Sequence, residues 1–298
     1  MNLITRGDWD GVVCATLLKT AAIIETIQFA HPKDMQDGKV KVSENDVIVN
    51  LPYVQNAGMW FDHHVSEEAR LDKIPDVKGC YDIAPSAARL VYNYYLPSNP
   101  ELKNFSHLLD ETDKIDSARL TVKDVLEPEN YVLLSYTIDP RTGLGDWKDY
   151  FHIMVDLLLS SNIETILKCD EVKTRTNKVF RQQEASLRAF KEYSRREKNM
   201  VVTDFRDLEI IPPGNRFLVY ALYPGANVSV RIFWGQNRES VIVAAAHSIF
   251  NKTCDVNIGK LFKKFGGGGN LGAGTCQFPK ETADNQITEI LARLRTEE

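Results

Sequence analysis

The order of apolar and polar runs in this chain predicts an α/β fold: an N-terminal parallel-sheet domain, a helical connection and a smaller α/β C-terminal domain. Three observations carry that expectation. Short apolar runs suited to buried strands alternate with segments apolar at helical spacing over the first part of the chain. Acidic, amide and imidazole side chains stand just after several of those strands, where parallel α/β sheets place their ligand sites. A polar stretch from Asn162 to about Arg196 then separates this part from a second series of strand-like runs.

Residues 3–5 form a short apolar run, and residues 11–22 (GVVCATLLKTAA) are apolar at helical spacing. Residues 46–50 read as a buried strand whose end is marked by Pro52, and residues 59–61 as the next. Residues 86–95 (SAARLVYNYY) follow Pro85 and stop before Pro97, as a helix does. From 162 to 196 the apolar residues Ile163, Ile166, Leu167, Val179, Phe180, Leu187 and Phe190 predict a long, half-exposed helical connection. Arg195-Arg196-Glu197-Lys198-Asn199 is the boundary candidate. Strands are expected at 200–203, 217–222, 228–233 and 241–246. A helix at 256–265 leads into Gly266-Gly267-Gly268-Gly269-Asn270, and a last helix spans 281–295. The expected domains are therefore 1–160, 161–198 as connection, and 199–298.

Composition narrows the function classes. With 298 residues, 43% hydrophobic and 26% charged, the chain can bury two cores. A net charge of -5 gives no global attraction to nucleic acid or an anionic membrane, so any anion site must be local and binding of long DNA is not expected. No basic, aromatic-interleaved stretch marks a single-strand channel. The five cysteines are widely spaced without a CxxC pair, which fits a reducing compartment better than a disulfide framework. Arg6, Asp8 and Asp10 make the first segment unlike a signal peptide, and no run approaches the roughly 20 apolar residues of a membrane span. A cytoplasmic protein is expected.

Four motifs carry the chemistry. The strand Met59-Trp60-Phe61 ends in Asp62-His63-His64, a carboxylate and two imidazoles at one sheet edge. The first strand runs into Arg6-Gly7-Asp8-Trp9-Asp10-Gly11, where Asp and Gly also suit an ordinary turn. Asp113 and Asp116 lie three apart in a helical stretch that could equally be a solvated face beside Lys114. Gly266–Gly269 lets backbone approach a ligand closely and present N–H groups to an anion, or forms a flexible turn. Gly272-Ala273-Gly274 closes that segment.

In this order, DxDG after a strand, a strand ending in DHH, a later helical Asp and a glycine-rich loop ending in GAG, the motifs resemble the DHH phosphoesterase family. That family includes RecJ-type exonucleases, nanoRNases that degrade short RNAs, cyclic-dinucleotide phosphodiesterases and, more distantly, exopolyphosphatases and inorganic pyrophosphatases. The resemblance spans the whole chain and implies hydrolysis of a short oligonucleotide or nucleotide phosphodiester in a cleft between two domains. It implies one or two bound ions, Mn²⁺ with Mg²⁺ as the alternative. Carried onto this sequence, Asp10, His63 and Asp113 match the ligands of one ion, with Asp116 as the alternative to Asp113. Asp8 and Asn50 stand at the other. His64 matches the group facing substrate, Asp62 orients the histidines, and Arg231 with Gly267, Gly268, Gly269 and Asn270 matches the substrate-binding set, beside Lys260, Lys263 and Lys264.

Three positions depart from the family pattern. Arg6 stands where many relatives carry a ligating histidine, and it cannot ligate a cation. Asn50 replaces a bridging aspartate, and Asn270 replaces a substrate-contacting histidine. One ion site is therefore expected to be lost or weak, with the Arg6 guanidinium taking part of its electrostatic role in catalysis. Two other readings stay open: an exopolyphosphatase-like phosphoanhydride hydrolase, and a non-catalytic nucleotide-binding clamp. A homodimer is compatible with the chain. Trp60, Tyr92, Tyr94 and Tyr95 read as core or interface residues, and His31, His107, His152 and His247 have no partner at ligand spacing. Cys14 and Cys276 have no neighbouring base in the sequence to activate a thiolate.

Overall fold

A computed structural model describes residues 1–138 and 143–295, which divide into two compact units. The first holds Met1–Arg119 and Pro128–Val179; the second holds Leu120–Glu127 and the chain from Phe180 onward.

In the first unit five strands form one sheet: β1 (Asn2–Thr5), β2 (Thr26–Phe29), β3 (Asp46–Val49), β4 (Met59–Asp62) and β5 (Lys78–Tyr81). All neighbours are parallel and the order is β2-β1-β3-β4-β5. Parallel strands need crossovers, and helices supply three of the four. They are α1 (Trp9–Thr20), α2 (Pro32–Gln36) and α3 (Ser66–Arg70); α4 (Ala87–Tyr95), α5 (Ser106–Asp116), α7 (Asn130–Ile138), α8 (Lys148–Ser160) and α9 (Ile163–Lys168) follow β5 in the same unit. Between them in sequence, α6 (Val122–Leu126) belongs to the second unit.

The central strands read as continuous apolar runs because both faces of the sheet are covered. Leu3, Val47, Val49, Met59 and Phe61 join the larger core with α1, α4, α5 and α8. Their neighbours Ile4, Ile48 and Trp60 point the other way, into a smaller core with Met35 and Leu51. Every residue of α1 from Trp9 to Leu18 is buried, which explains why this helix is apolar all round.

The register sets up the site. Thr5 pairs with Val49 and Val49 with Phe61, so β1, β3 and β4 end level. The residues that follow them are therefore neighbours. The chain leaves β1 toward β2 on one side, while β3 lies on the other, which makes the β1/β3 edge the switch point where open parallel sheets bind ligands.

In the second unit the strands are β6 (Ser194–Glu197), β7 (Met200–Asp204), β8 (Val228–Trp234), β9 (Ser240–His247), β10 (Gly268–Gly269) and β11 (Ala273–Pro279), in the order β10-β11-β9-β8-β7-β6. Only β7 and β8 are parallel among the described pairs. Val228, Val230 and Ile232 share a core with Val241, Val243, Cys276 and the helices α12 (Ile258–Lys263) and α13 (Ala283–Leu294). On the opposite face Ser229 meets the hydroxyl of Tyr220 at 2.7 Å, from α11 (Leu218–Leu222).

The expected elements hold with two corrections. The run 195–199, read as a boundary, is a β-hairpin: Arg195 pairs with Val202, and Lys198 turns the chain at φ 52°. Charged residues suit an edge strand, so composition could not separate it from a linker. Residues 217–222, read as a strand, hold α11; a short apolar run does not reveal its period. The division between the units falls inside α10 (Asp170–Tyr193), at Val179 and Phe180, within the stretch 161–198 expected as a helical connection. No helix among the described residues is long and apolar enough to cross a membrane.

Candidate active site

Asp62 is the last residue of β4, and His63 and His64 follow it directly. Nδ1 of His63 lies 3.0 Å from the carbonyl oxygen of Ala84. A carbonyl only accepts, so the proton sits on Nδ1 and Nε2 carries the lone pair. That Nε2 is buried and has no hydrogen-bond partner. It faces Asp116 Oδ2 at 3.3 Å and Asp10 Oδ2 at 3.9 Å. In the neutral imidazole three acceptors thus converge with no hydrogen between them.

Such a cluster is satisfied by a proton on the imidazole or by a cation among the three groups. One nitrogen and two carboxylates form a donor set suited to a divalent first-row ion. Burial pushes the Asp10 carboxyl above the usual carboxylate range. The charge of His63 opposes this, Asp8 adds to it, and the N–H groups of Ala88 and Ala87 pull it back down. Both amides, at the N-terminus of α4, lie 2.9 Å from the Asp10 oxygens and fix the carboxylate. Cys14, one turn along α1, lies 3.7 Å from Asp10 Oδ1; burial and then the charges of Asp10 and Asp8 push its thiol well up, so it stays protonated. The residues present fit a divalent ion.

The two helical aspartates separate clearly. Asp116 joins Asp10 and His63, whereas Asp113 lies with a different set of partners. Its Oδ1 accepts from Ser86 Oγ at 2.6 Å, and its Oδ2 accepts from Arg89 Nε at 2.7 Å. Arg89 also reaches Asp110 at 2.7 Å. Asp113, expected in the ion-binding cluster, stands apart from it, with Ser86 and Arg89 on its two oxygens, while Asp116, the alternative, lies in it. Ser86 meanwhile caps α4 by accepting from Arg89 N, and Trp9 Nε1 donates to Thr112 Oγ1 on α5 at 3.1 Å. These contacts fix α4 and α5 against the turn that carries Asp8 and Asp10. Ser86 and Arg89 were missed in the sequence; the N-cap signature after Pro85 was visible, but not Arg89's partner 24 residues away.

His64 Nδ1 lies 2.7 Å from Asp62 Oδ1. Burial opposes protonation of His64, but the hydrogen bond and charge of Asp62 outweigh it and raise the imidazole above its usual range, against a smaller opposing effect of Arg6. Asp62 therefore orients His64 and favours its charged form.

The β1–α1 turn holds a second arrangement. Asp8 caps α1 by accepting from Gly11 N at 3.1 Å. The same oxygen accepts from Asn50 Nδ2 at 3.0 Å, and Arg6 Nε lies 3.1 Å from the other. Asn50 follows β3 at φ 57°, a left-handed conformation that asparagine tolerates well. Gly11 is required by space: a Cβ there would lie 2.3 Å from the Arg6 carbonyl oxygen.

In the second unit Arg231 lies on β8 and lines a small cavity with Arg216, Ser186 and Asn215. A separate open pocket of about 440 Å³ is lined by Lys260, Lys263, Gly267, Gly268, Gly269 and Asn270, among others. Arg231 does not line it, so the expected substrate set falls in two places within this unit. The glycines are less free than expected, because Gly268 and Gly269 pair with Thr275 and Gly274. Gly269 sits at φ 155°, where a Cβ would strike the Ala273 carbonyl oxygen at 2.1 Å. Asn270 uses its Oδ1 to hold the turn, accepting from Gly272 N and Ala273 N at 3.0 and 2.9 Å.

No family model matches the chain, and no curated protein matches it. Solved structures do. A pGpG-specific phosphodiesterase, PggH from Vibrio cholerae, is 38% identical over 98% of both chains, with a TM-score of 0.88. RecJ of Thermus thermophilus, solved with Mn²⁺, is 13% identical, with a TM-score of 0.59 over 98% of this chain and 52% of that one. An exonuclease RecJ bound to manganese is 12% identical, with a TM-score of 0.54 over 98% and 90%. The two RecJ structures show the shared fold; the first similarity extends to sequence along almost the whole length. With its level strand ends, its DHH tripeptide beside Asp10 and Asp116, and this relative, the chain belongs to the DHH family of metal-dependent phosphoesterases.

Proposed function

We propose that the chain is a phosphodiesterase for very short oligonucleotides, with pGpG as the first substrate to try. The observation that carries this is the buried, unpartnered Nε2 of His63 facing two carboxylates. Asp10, His63 and Asp116 would hold a divalent ion, which we take to be Mn²⁺. When bound, such an ion supplies Lewis acidity and a lowered pKa for water. The amides of Ala87 and Ala88 keep Asp10 turned toward this position, and Ala84 keeps the His63 lone pair there. His64, held on Asp62, donates a hydrogen bond to a phosphoryl oxygen and can give a proton to the leaving oxygen. Lys260, Lys263 and the neighbouring glycine backbone line an open pocket within the second unit whose charge and N–H groups suit an anion. The five free cysteines agree with a cytoplasmic location.

The test is hydrolysis of pGpG by the full chain over increasing Mn²⁺, with His63→Ala as control. Metal-dependent turnover should fall at least about 100-fold in the variant; equal turnover by both would refute the assignment. One observation favours a second reading. Both oxygens of Asp8 are already engaged by Arg6, Asn50 and Gly11, as suits a clamp that binds nucleotide without cutting it. Tight pGpG binding with no turnover at any Mn²⁺ concentration would select that reading.

A further inference from the structure

Asp8 and Asp10 stand two residues apart, yet their surroundings differ in kind. Asp10 accepts only from uncharged donors, the Ala87 and Ala88 amides and the Cys14 thiol, and faces His63 Nε2 and Asp116 Oδ2. Around Asp8 the groups are donors: Arg6 Nε, Asn50 Nδ2 and the Gly11 N–H. Arg6 cannot give up its charge, and Asn50 turns its NH₂ toward Asp8, so its donor, not its oxygen, faces the carboxylate. Asn50 is also fixed in place: it is buried, and its own N–H bonds the Phe61 carbonyl at 3.0 Å. A divalent ion on Asp8 would have to displace the guanidinium or sit against its positive charge.

Arg6 is also placed to act outward. About a third of its side chain is exposed, at 38%. The guanidinium has five N–H donors, of which Nε makes the Asp8 contact. Planar N–H forks are well matched to phosphoryl oxygens. We infer that Arg6 is a fixed, protein-borne substitute for a second divalent ion: it neutralises Asp8 and binds a phosphoryl oxygen of the substrate, so the chain holds one divalent ion on Asp10, His63 and Asp116. This rests on the phosphodiesterase reading above.

The experiment counts ions and measures binding on the full chain, apart from turnover. Protein equilibrated with Mn²⁺ and freed of excess is analysed by plasma mass spectrometry, and pGpG binding to ion-free protein is followed by titration calorimetry. One Mn²⁺ per chain is expected, lost in His63→Ala. The double variant Arg6→His/Asn50→Asp should take up a second ion. Arg6→Ala should weaken pGpG binding about tenfold without ion, the scale of one charge-assisted hydrogen bond; Arg6→Lys should lose less. Far-UV circular dichroism confirms that each variant is folded. Two tightly held ions in the unaltered chain would overturn the inference and leave the hydrolase reading intact. No ion at all would overturn both. A folded Arg6→Ala with unchanged pGpG affinity, or a double variant still holding one ion, would show that Arg6 does not stand in for an ion.

Discussion

The two acidic clusters at the strand ends of the first unit make the instructive comparison. Asp10, His63 and Asp116 bring acceptors together, while Asp8 is surrounded by donors. Counting carboxylates in a motif therefore says little about where a cation goes. What differs across two residues of sequence is the charge of the neighbours: backbone amides, an imidazole and a second carboxylate stand around Asp10, and a guanidinium stands beside Asp8.

The sharpest way to break this comparison is to remove Asp116. Asp116→Asn should weaken Mn²⁺ binding at least about 100-fold, a direct ligand being worth no less than the outer groups that orient one. Titration calorimetry reads this directly, and unchanged affinity would return the ligand role to Asp113. The companion variant Asp113→Asn should leave the ion count alone and act on stability. It weakens the bonds from Ser86 and Arg89, so a loss of about 1–3 kcal/mol in urea unfolding is expected. A stable Asp113→Asn protein that had lost its ion would reverse the assignment.

The smallest expected effect concerns His64. Burial works against its charge, but Asp62 raises its pKa above the ordinary value of 6.5. A raised folded pKa means stabilisation that is complete below the unfolded value and lost as pH rises through the folded one. The stability advantage of the unaltered chain over His64→Gln should therefore be largest below about pH 6 and shrink toward alkaline pH. Urea midpoints across this range test it; an advantage that grew with pH would mean that Asp62 does not hold a charged imidazole.

Much of this arrangement was legible in the sequence. β3 and β4 are buried on both faces, so their apolar runs are continuous and stop abruptly at Asn50 and at Asp62. The choice between Asp113 and Asp116 was not legible, because both lie near the end of one helix. What distinguishes the two is Arg89, which reaches Asp113 from another helix. The strand at Gly268–Gly269 carries no side-chain signal at all, and its pairing comes from β11. Local pattern encodes an element when burial is one-dimensional along the chain, and fails where a partner far away decides.

The positions of two thiols have a practical consequence. Cys14 is sealed in the core of the first unit and Cys276, 4% exposed, in that of the second. Neither can meet an alkylating reagent until its own surroundings open, and the three remaining cysteines are only partly covered. With those three replaced by serine, the labelling rates of Cys14 and Cys276 become two separate clocks, each timing the breathing of one half of the chain. A ligand that slows the Cys14 clock alone would be reporting, from inside the protein, which half it has gripped.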